Sequence, residues 1–247
     1  MLENQFIQFA ETIPPTGEDW LVPTIENEEI SFFVYAQEGV SIDIVTPDGA
    51  YVIEDGAIID VHSTADPSYQ QVLLRVTENI AVYDKFRVRM TADTTHYSNL
   101  MVRMPGNMNL SSLQYSCKEE AFELPFGYDA SRGGYPYLKQ TMPIRIYNQQ
   151  FKQEDKIYTK RTGENVVLYA SINVEYSGET DYIPIEWHEK IVYALSCDDV
   201  LINGKKVTKS DNYEVDHDNY TYSDSGVKLL RATFKVKENI TKRNSNY

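Results

Sequence analysis

DYIPIEWHEKIVYALSCDD (residues 181–199) runs into VLINGKKVTKSDNYEVDH (200–217) and, after an acidic loop, into GVKLLRATFKV (226–236). In the first run Ile185, His188, Ile191, Val192 and Leu195 recur at helical spacing, with Ala194 filling in, which lines up one face of an α-helix. Pro184 heads the pattern, where a missing N–H costs nothing because first-turn amides lack intrahelical partners. One short amphipathic helix is therefore predicted over 185–196. Beyond it, short strands over 200–202 and 205–208 flank Asn203-Gly204, a dipeptide that accepts the positive φ angles of a tight hairpin turn. The last run alternates Val227, Leu229, Arg231, Thr233 and Lys235 against Leu230, Ala232, Phe234 and Val236, the period of two that marks a strand. A single helix packed on a sheet follows.

Towards the N-terminus the pattern is of short strands every eight to twelve residues or so, over 20–22, 30–35, 40–45, 51–53, 57–62, 70–76, 85–90 and 99–104. Pro47-Asp48-Gly49, Glu54-Asp55-Gly56 and Asp66-Pro67-Ser68 supply turn chemistry between them, the spacing of a sandwich or barrel. Pro105-Gly106-Asn107 closes this region. The fold expected is mainly β: two β-sandwich or barrel-like domains, 1–106 and 107–247, the second carrying the helix on its sheet. In the second, 112–117 and 143–148 read as strands, and 156–160 with 166–176 as a hairpin turning at 161–164. Between them, residues 122–137 hold Phe122, Phe126, Tyr128, Tyr135 and Tyr137 among glycines. So long a loop is either a hairpin tip or a segment that orders against a partner. Residues 1–17 form a polar lead-in with an apolar patch at Phe6, Ile7 and Phe9, either an arm for a neighbour or a frayed or self-docked terminus. Residues 241–247 read as a polar tail.

With 37 acidic against 23 basic residues, the net charge of −14 repels phosphate backbones, so sequence-specific nucleic-acid binding is not expected. An acidic surface past which DNA slides without sticking fits the same charge. No apolar run reaches the roughly 18 to 20 residues of a membrane helix, so no membrane partner is expected. The N-terminal run has no basic, apolar pattern of a signal peptide, and the expectation is manufacture in the cytoplasm. Cys117 and Cys197 lie far apart and outside CxxC spacing, and are read as reduced, buried thiols.

Reactive constellations do not emerge. His62, His96, His188 and His217 show no zinc spacing, and His188-Glu189 lacks the second histidine of a HExxH pair. The acidic run 216–226, with Asp216, Asp218 and Asp224, lacks the central glycine and terminal glutamate of an EF-hand and reads as a solvated hairpin loop. Glu28-Glu29, Glu119-Glu120 and Asp198-Asp199 are sequence neighbours, which face opposite ways on a strand and cannot flank one bond. Trp187 and Tyr193 read as core and interface filler. No catalytic, cofactor-binding or metal-binding residue is assigned, no cofactor is expected, and the chain is read as not an enzyme.

Residues 125–204 resemble structural proteins of the neck, tail or baseplate of tailed bacteriophages and prophages of Bacteroidetes, including crAss-like podoviruses. The resemblance is carried by Pro143-Ile144-Arg145 with Tyr158 and Arg161, the strand 166–176, and TDYIPIEWHEKIVYALSCDDV with Trp187, His188 and Glu189. It spans about half the chain, roughly 117–236, and leaves 2–106 unplaced. It implies a non-enzymatic virion protein of a collar, ring or tail hub, made in the host cytoplasm. Its partners would be copies of itself in a closed ring, through interfaces that include 122–137, and neighbouring portal or tail proteins. A cell-surface adhesin or a carbohydrate-binding sandwich is the alternative.

Overall fold

The computed structural model describes residues 5–13, 21–35, 40–106, 108–118, 124–128, 134–223 and 226–244, with backbone alone for 154–156, 166–171 and 239–244. The first half comprises β1 (Phe9–Ala10), β2 (Val22–Ile25), β3 (Glu29–Tyr35), β4 (Ser41–Val45), β5 (Ala57–Ser63), β6 (Tyr69–Val76), β7 (Lys85–Thr91), β8 (Thr95–Ser98) and β9 (Met101–Met104). The second comprises β10 (Ser111–Ser116), β11 (Leu138–Met142), β12 (Ile144–Thr159), β13 (Asn165–Thr180), β14 (Ile183–Pro184), α1 (Ile185–Leu195), β15 (Asp199–Ile202), β16 (Lys205–Lys209), β17 (Glu214–Tyr222) and β18 (Lys228–Asn244). The chain is mainly β with one helix packed on its sheet, the class the sequence predicts.

Three sheets form. The first runs β1-β8-β7-β9-β2 with β4 also on β7; the second is β3-β6-β5; the third runs β11-β10-β15-β16-β18-β13-β12, with β14 and β17 also on β18. Only β2 and β9 pair in parallel among the described strands. No ladder among them joins a strand before Met104 to one after Ser111, yet one hydrophobic cluster runs across that line. Phe6 packs edge-on against Tyr115 and Trp187, and Phe33 against Phe126. β3 is buried from Ile30 through Val34 because both its faces are covered, Phe32 meeting Phe9 on one side and Phe33 meeting Phe126 on the other. Polar bonds accompany the apolar ones: the Tyr137 carbonyl accepts from Ser31 Oγ at 3.0 Å, and Gln140 Nε2 donates to the Pro23 carbonyl at 3.2 Å.

The terminus that holds Phe6, Ile7 and Phe9 is self-docked: all three are buried, and β1 pairs with β8. The helix spans Ile185–Leu195 with Pro184 as its N-cap, one place before the first turn. Its buried face is Trp187, His188, Ile191, Ala194 and Leu195, so Ile185, assigned to that face by spacing, points outward instead. Asn203 and Gly204 both have positive φ, as the hairpin between β15 and β16 demands. On β18, Leu230, Ala232, Phe234 and Val236 are buried and Arg231, Thr233 and Lys235 exposed. Gly178 faces Phe234 so closely that a Cβ there would collide with the ring, which explains a glycine inside a strand.

Three local expectations are corrected. The acidic run at 216–226 is largely strand: β17 continues to Tyr222, paired with β18. The tail is also strand as far as Asn244, paired with β13. Cys117 and Cys197 are not free thiols but a disulfide, with Cα atoms 5.1 Å apart. Their separation of 80 residues in sequence disappears in space because β10 pairs with β15, setting Ser116 opposite Asp199 beside both cysteines.

Candidate assembly surface

Sequence patterning anticipates two separate strands where β12 is one, and β12 and β13 are 16 residues each, roughly 50 Å of extended chain. Their ladder runs from Ile144 opposite Thr180 to Thr159 opposite Asn165, with irregularities after Tyr147 and after Lys156. Asn148 takes a positive φ of 52° at the first of these. β18 lies along the other side of β13 as far as Tyr169 opposite Asn244. β16 leaves β18 at Lys237, so the distal part is a three-stranded ribbon with no fourth strand.

This ribbon is an arm. Among described side chains from Tyr147 to Asn165 every one is exposed, whereas Ile144 at the foot is fully buried. Val174 and Val236 are buried where the ribbon joins the body. At the foot lies an open groove bordered by Met108, Leu110, Arg145, Tyr147, Glu179 and Asn203. The Tyr147 hydroxyl donates to Glu179 at 3.2 Å, and its pKa is raised by desolvation and by that carboxylate. On the arm Lys152 pairs with Glu175, and Lys160 with Glu164 across the turn at 3.0 Å. Hydrogen bonding to Lys152 holds the Glu175 carboxyl below the usual range.

The loop expected to meet a partner divides in two. Leu124 and Phe126 are buried, and Tyr137 donates its hydroxyl to Glu29 at 2.6 Å, so these residues serve the interior and the junction between halves. Tyr128 and Tyr135 are exposed and lie edge to face, 5.2 Å between centroids. Phe122 lies outside the described residues.

The histidines stand apart from one another in role. His188 Nε2 is 3.1 Å from the Leu230 carbonyl, which can only accept, so Nε2 carries the proton and Nδ1 accepts from Tyr213 Oη at 2.6 Å. Burial lowers its pKa, and Tyr213 in turn stacks on Phe234. His62 is half-buried on β5, His96 meets Thr94 Oγ1 at 2.9 Å, and His217 is exposed. Asp216 accepts from the Asn219 side chain and from the amides of Asn219 and Asp218, which fixes the irregularity in β17 and lowers its own pKa. Asp218 is exposed on the same strand, and Asp224 lies outside the described residues. Trp187 is buried against Phe6, and Tyr193 is half-buried. Among the described residues no three of His, Cys, Asp and Glu come together as a metal would require, and no helix is long and apolar enough to cross a membrane.

The signal for the arm that sequence reasoning missed is compositional. Residues 148–156, NQQFKQEDK, hold one apolar residue, Phe151, so neither strand face shows a repeating apolar pattern to detect.

No family model matches the chain, and no curated protein does. Among solved structures it is similar to bovine butyrophilin, at 6% identity and a TM-score of 0.21, covering 98% of this chain and 100% of that one. It is also similar to a complex of Dpr2 Ig1-Ig2 with DIP-Theta Ig1-Ig3, at 9% identity and a TM-score of 0.20, covering 98% of each chain. Likeness at that level carries no argument about function.

Proposed function

We propose that this chain is a non-enzymatic structural protein of a virion, a ring-forming part of the neck or tail of a tailed phage. It works by assembling with copies of itself and with neighbouring virion proteins. The arm carries the reading. A monomer gains no core from the stretch between Tyr147 and Asn165, whose described side chains are all exposed, whereas an open strand edge is a template for another chain. The resemblance of residues 117–236 to phage neck and tail proteins points the same way, and the net charge of −14 suits a collar through which DNA passes without adhering.

A cell-surface adhesin or carbohydrate-binding module is the second reading, and the Cys117–Cys197 disulfide favours it, because such bonds persist in oxidising surroundings. A released virion meets the same surroundings. Electron microscopy of the purified chain, with mass spectrometry of purified particles, separates the two. Closed rings of cyclic symmetry and peptides of this chain in particles are expected. A monomer that binds glycans in a calcium-dependent way contradicts the proposal.

A further inference from the structure

β12 bonds only to β13, and β5 only to β6, among the described strands, so each has an open edge. Both edges hold apolar side chains in water. On β12, Phe151 is 68% exposed, Ile157 56% and Tyr158 55%; on β5, Ile58 is 51% and Val61 46%. Such edges pair readily with another strand, backbone bonds supplying affinity and alternate side chains specificity.

Opposite charge surrounds the two. Residues 145–165 with 236–244 hold eight Lys or Arg against four Asp or Glu, in a chain where acids otherwise prevail. Residues 26–79, which carry β3, β5 and β6 and also β4 of the first sheet, hold eleven Asp or Glu against Arg75 alone, Arg75 itself pairing with Glu29 and Asp60. Complementary charge steers encounter and decides which patch meets which. Pairing β12 with β12 of another copy would lay cationic arm on cationic arm. β17 is also acidic, but the irregularity at Asp216 bends its ladder, and a bulge of that kind blunts an edge. β5 pairs through seven consecutive residues without a break. It offers roughly 23 Å of edge, about the length of the unbroken run 150–156 of β12, with Ile157 and Tyr158 following the irregularity after Lys156.

We infer that the β12 edge of one copy adds to the β5 edge of the next, so that every subunit gives an arm and receives one. This rests on the ring reading above, which it deepens by naming the two surfaces. The contact is heterologous, and repeated by a rotation that closes, it generates a ring.

Two variants test it, both at exposed positions that should leave folding intact. Val61→Lys sets a cation on the edge that receives the cationic arm, and Ile157→Glu sets an anion on the arm that must meet an acidic sheet. Each alone is expected to lose the ring, as measured by light scattering and electron microscopy, with its melting temperature unchanged. Mixed in equal amounts, they should assemble where neither does alone, because the native arm of Val61→Lys meets the native β5 edge of Ile157→Glu, and the opposite charges introduced at 157 and 61 attract each other. If Val61→Lys assembles as wild type while Ile157→Glu stays monomeric even in the mixture, β12 pairs with itself and the inference is overturned. If either variant still closes a ring, the inference falls and the ring reading stands. A wild-type chain that stays monomeric at its highest soluble concentration overturns both.

Discussion

Trp187, His188 and Tyr213 fasten the helix to β18, and each makes a different demand. Trp187 is buried against Phe6, so it joins the helix to the N-terminal segment. Trp187→Ala should cost about 3 to 5 kcal/mol in denaturant unfolding, the range for removing a buried large aromatic. His188 is neutral in the folded chain because burial disfavours its charged form. Its folded pKa lies below the unfolded value of about 6.5, so below that pH the unfolded chain binds the extra proton and stability falls. The melting temperature should therefore drop as pH is lowered from 7 to 5. His188→Gln should flatten part of that drop, and a profile unchanged by the substitution would contradict the assignment. His188 was legible as structural from its helical spacing and Trp187 as core filler, whereas Tyr213 was not singled out. The register of the face was not legible, since Trp187, not Ile185, completes it.

At the scale of elements, what could be read from sequence follows what is buried. β2 to β7, β9, the helix and the Asn203-Gly204 hairpin were anticipated to within a few residues, whereas β1 and β8 were not, and 51–53, read as a strand, makes a single bridge from Val52 to Val45. The arm and β17 have few buried side chains, so their backbone pairing left no apolar alternation, and one read as shorter pieces and the other as loop. The disulfide escaped because spacing along the chain does not report which strands pair; β10 beside β15 creates it. Closing a loop across a separation of 80 residues constrains the unfolded chain, so Cys117→Ser should lower stability by about 2 to 5 kcal/mol. A thiol count of two in denatured, unreduced protein would contradict the bond.

For the whole molecule, the central claim is that the body folds on its own core and the arm exists to assemble. The body holds most of the hydrophobic cluster, and among the described side chains the ribbon adds Val174, Tyr176 and Val236 at its foot. Charge is divided the same way, the arm being cationic on an acidic chain, so raised ionic strength should weaken assembly more than it weakens folding. The arm was therefore not legible in the sequence, while in the loop at 122–137, which drew attention by its aromatics, Leu124 and Phe126 are buried and Tyr128 and Tyr135 exposed. The most direct measurement removes residues 153–172 and joins Lys152 to Asn173, which face each other in the ladder, through an Asn-Gly turn. Light scattering and thermal melting are then compared with the full chain. The prediction is a monomer that melts where the full chain does; a variant that still forms the full-size ring, or that no longer folds, contradicts the claim.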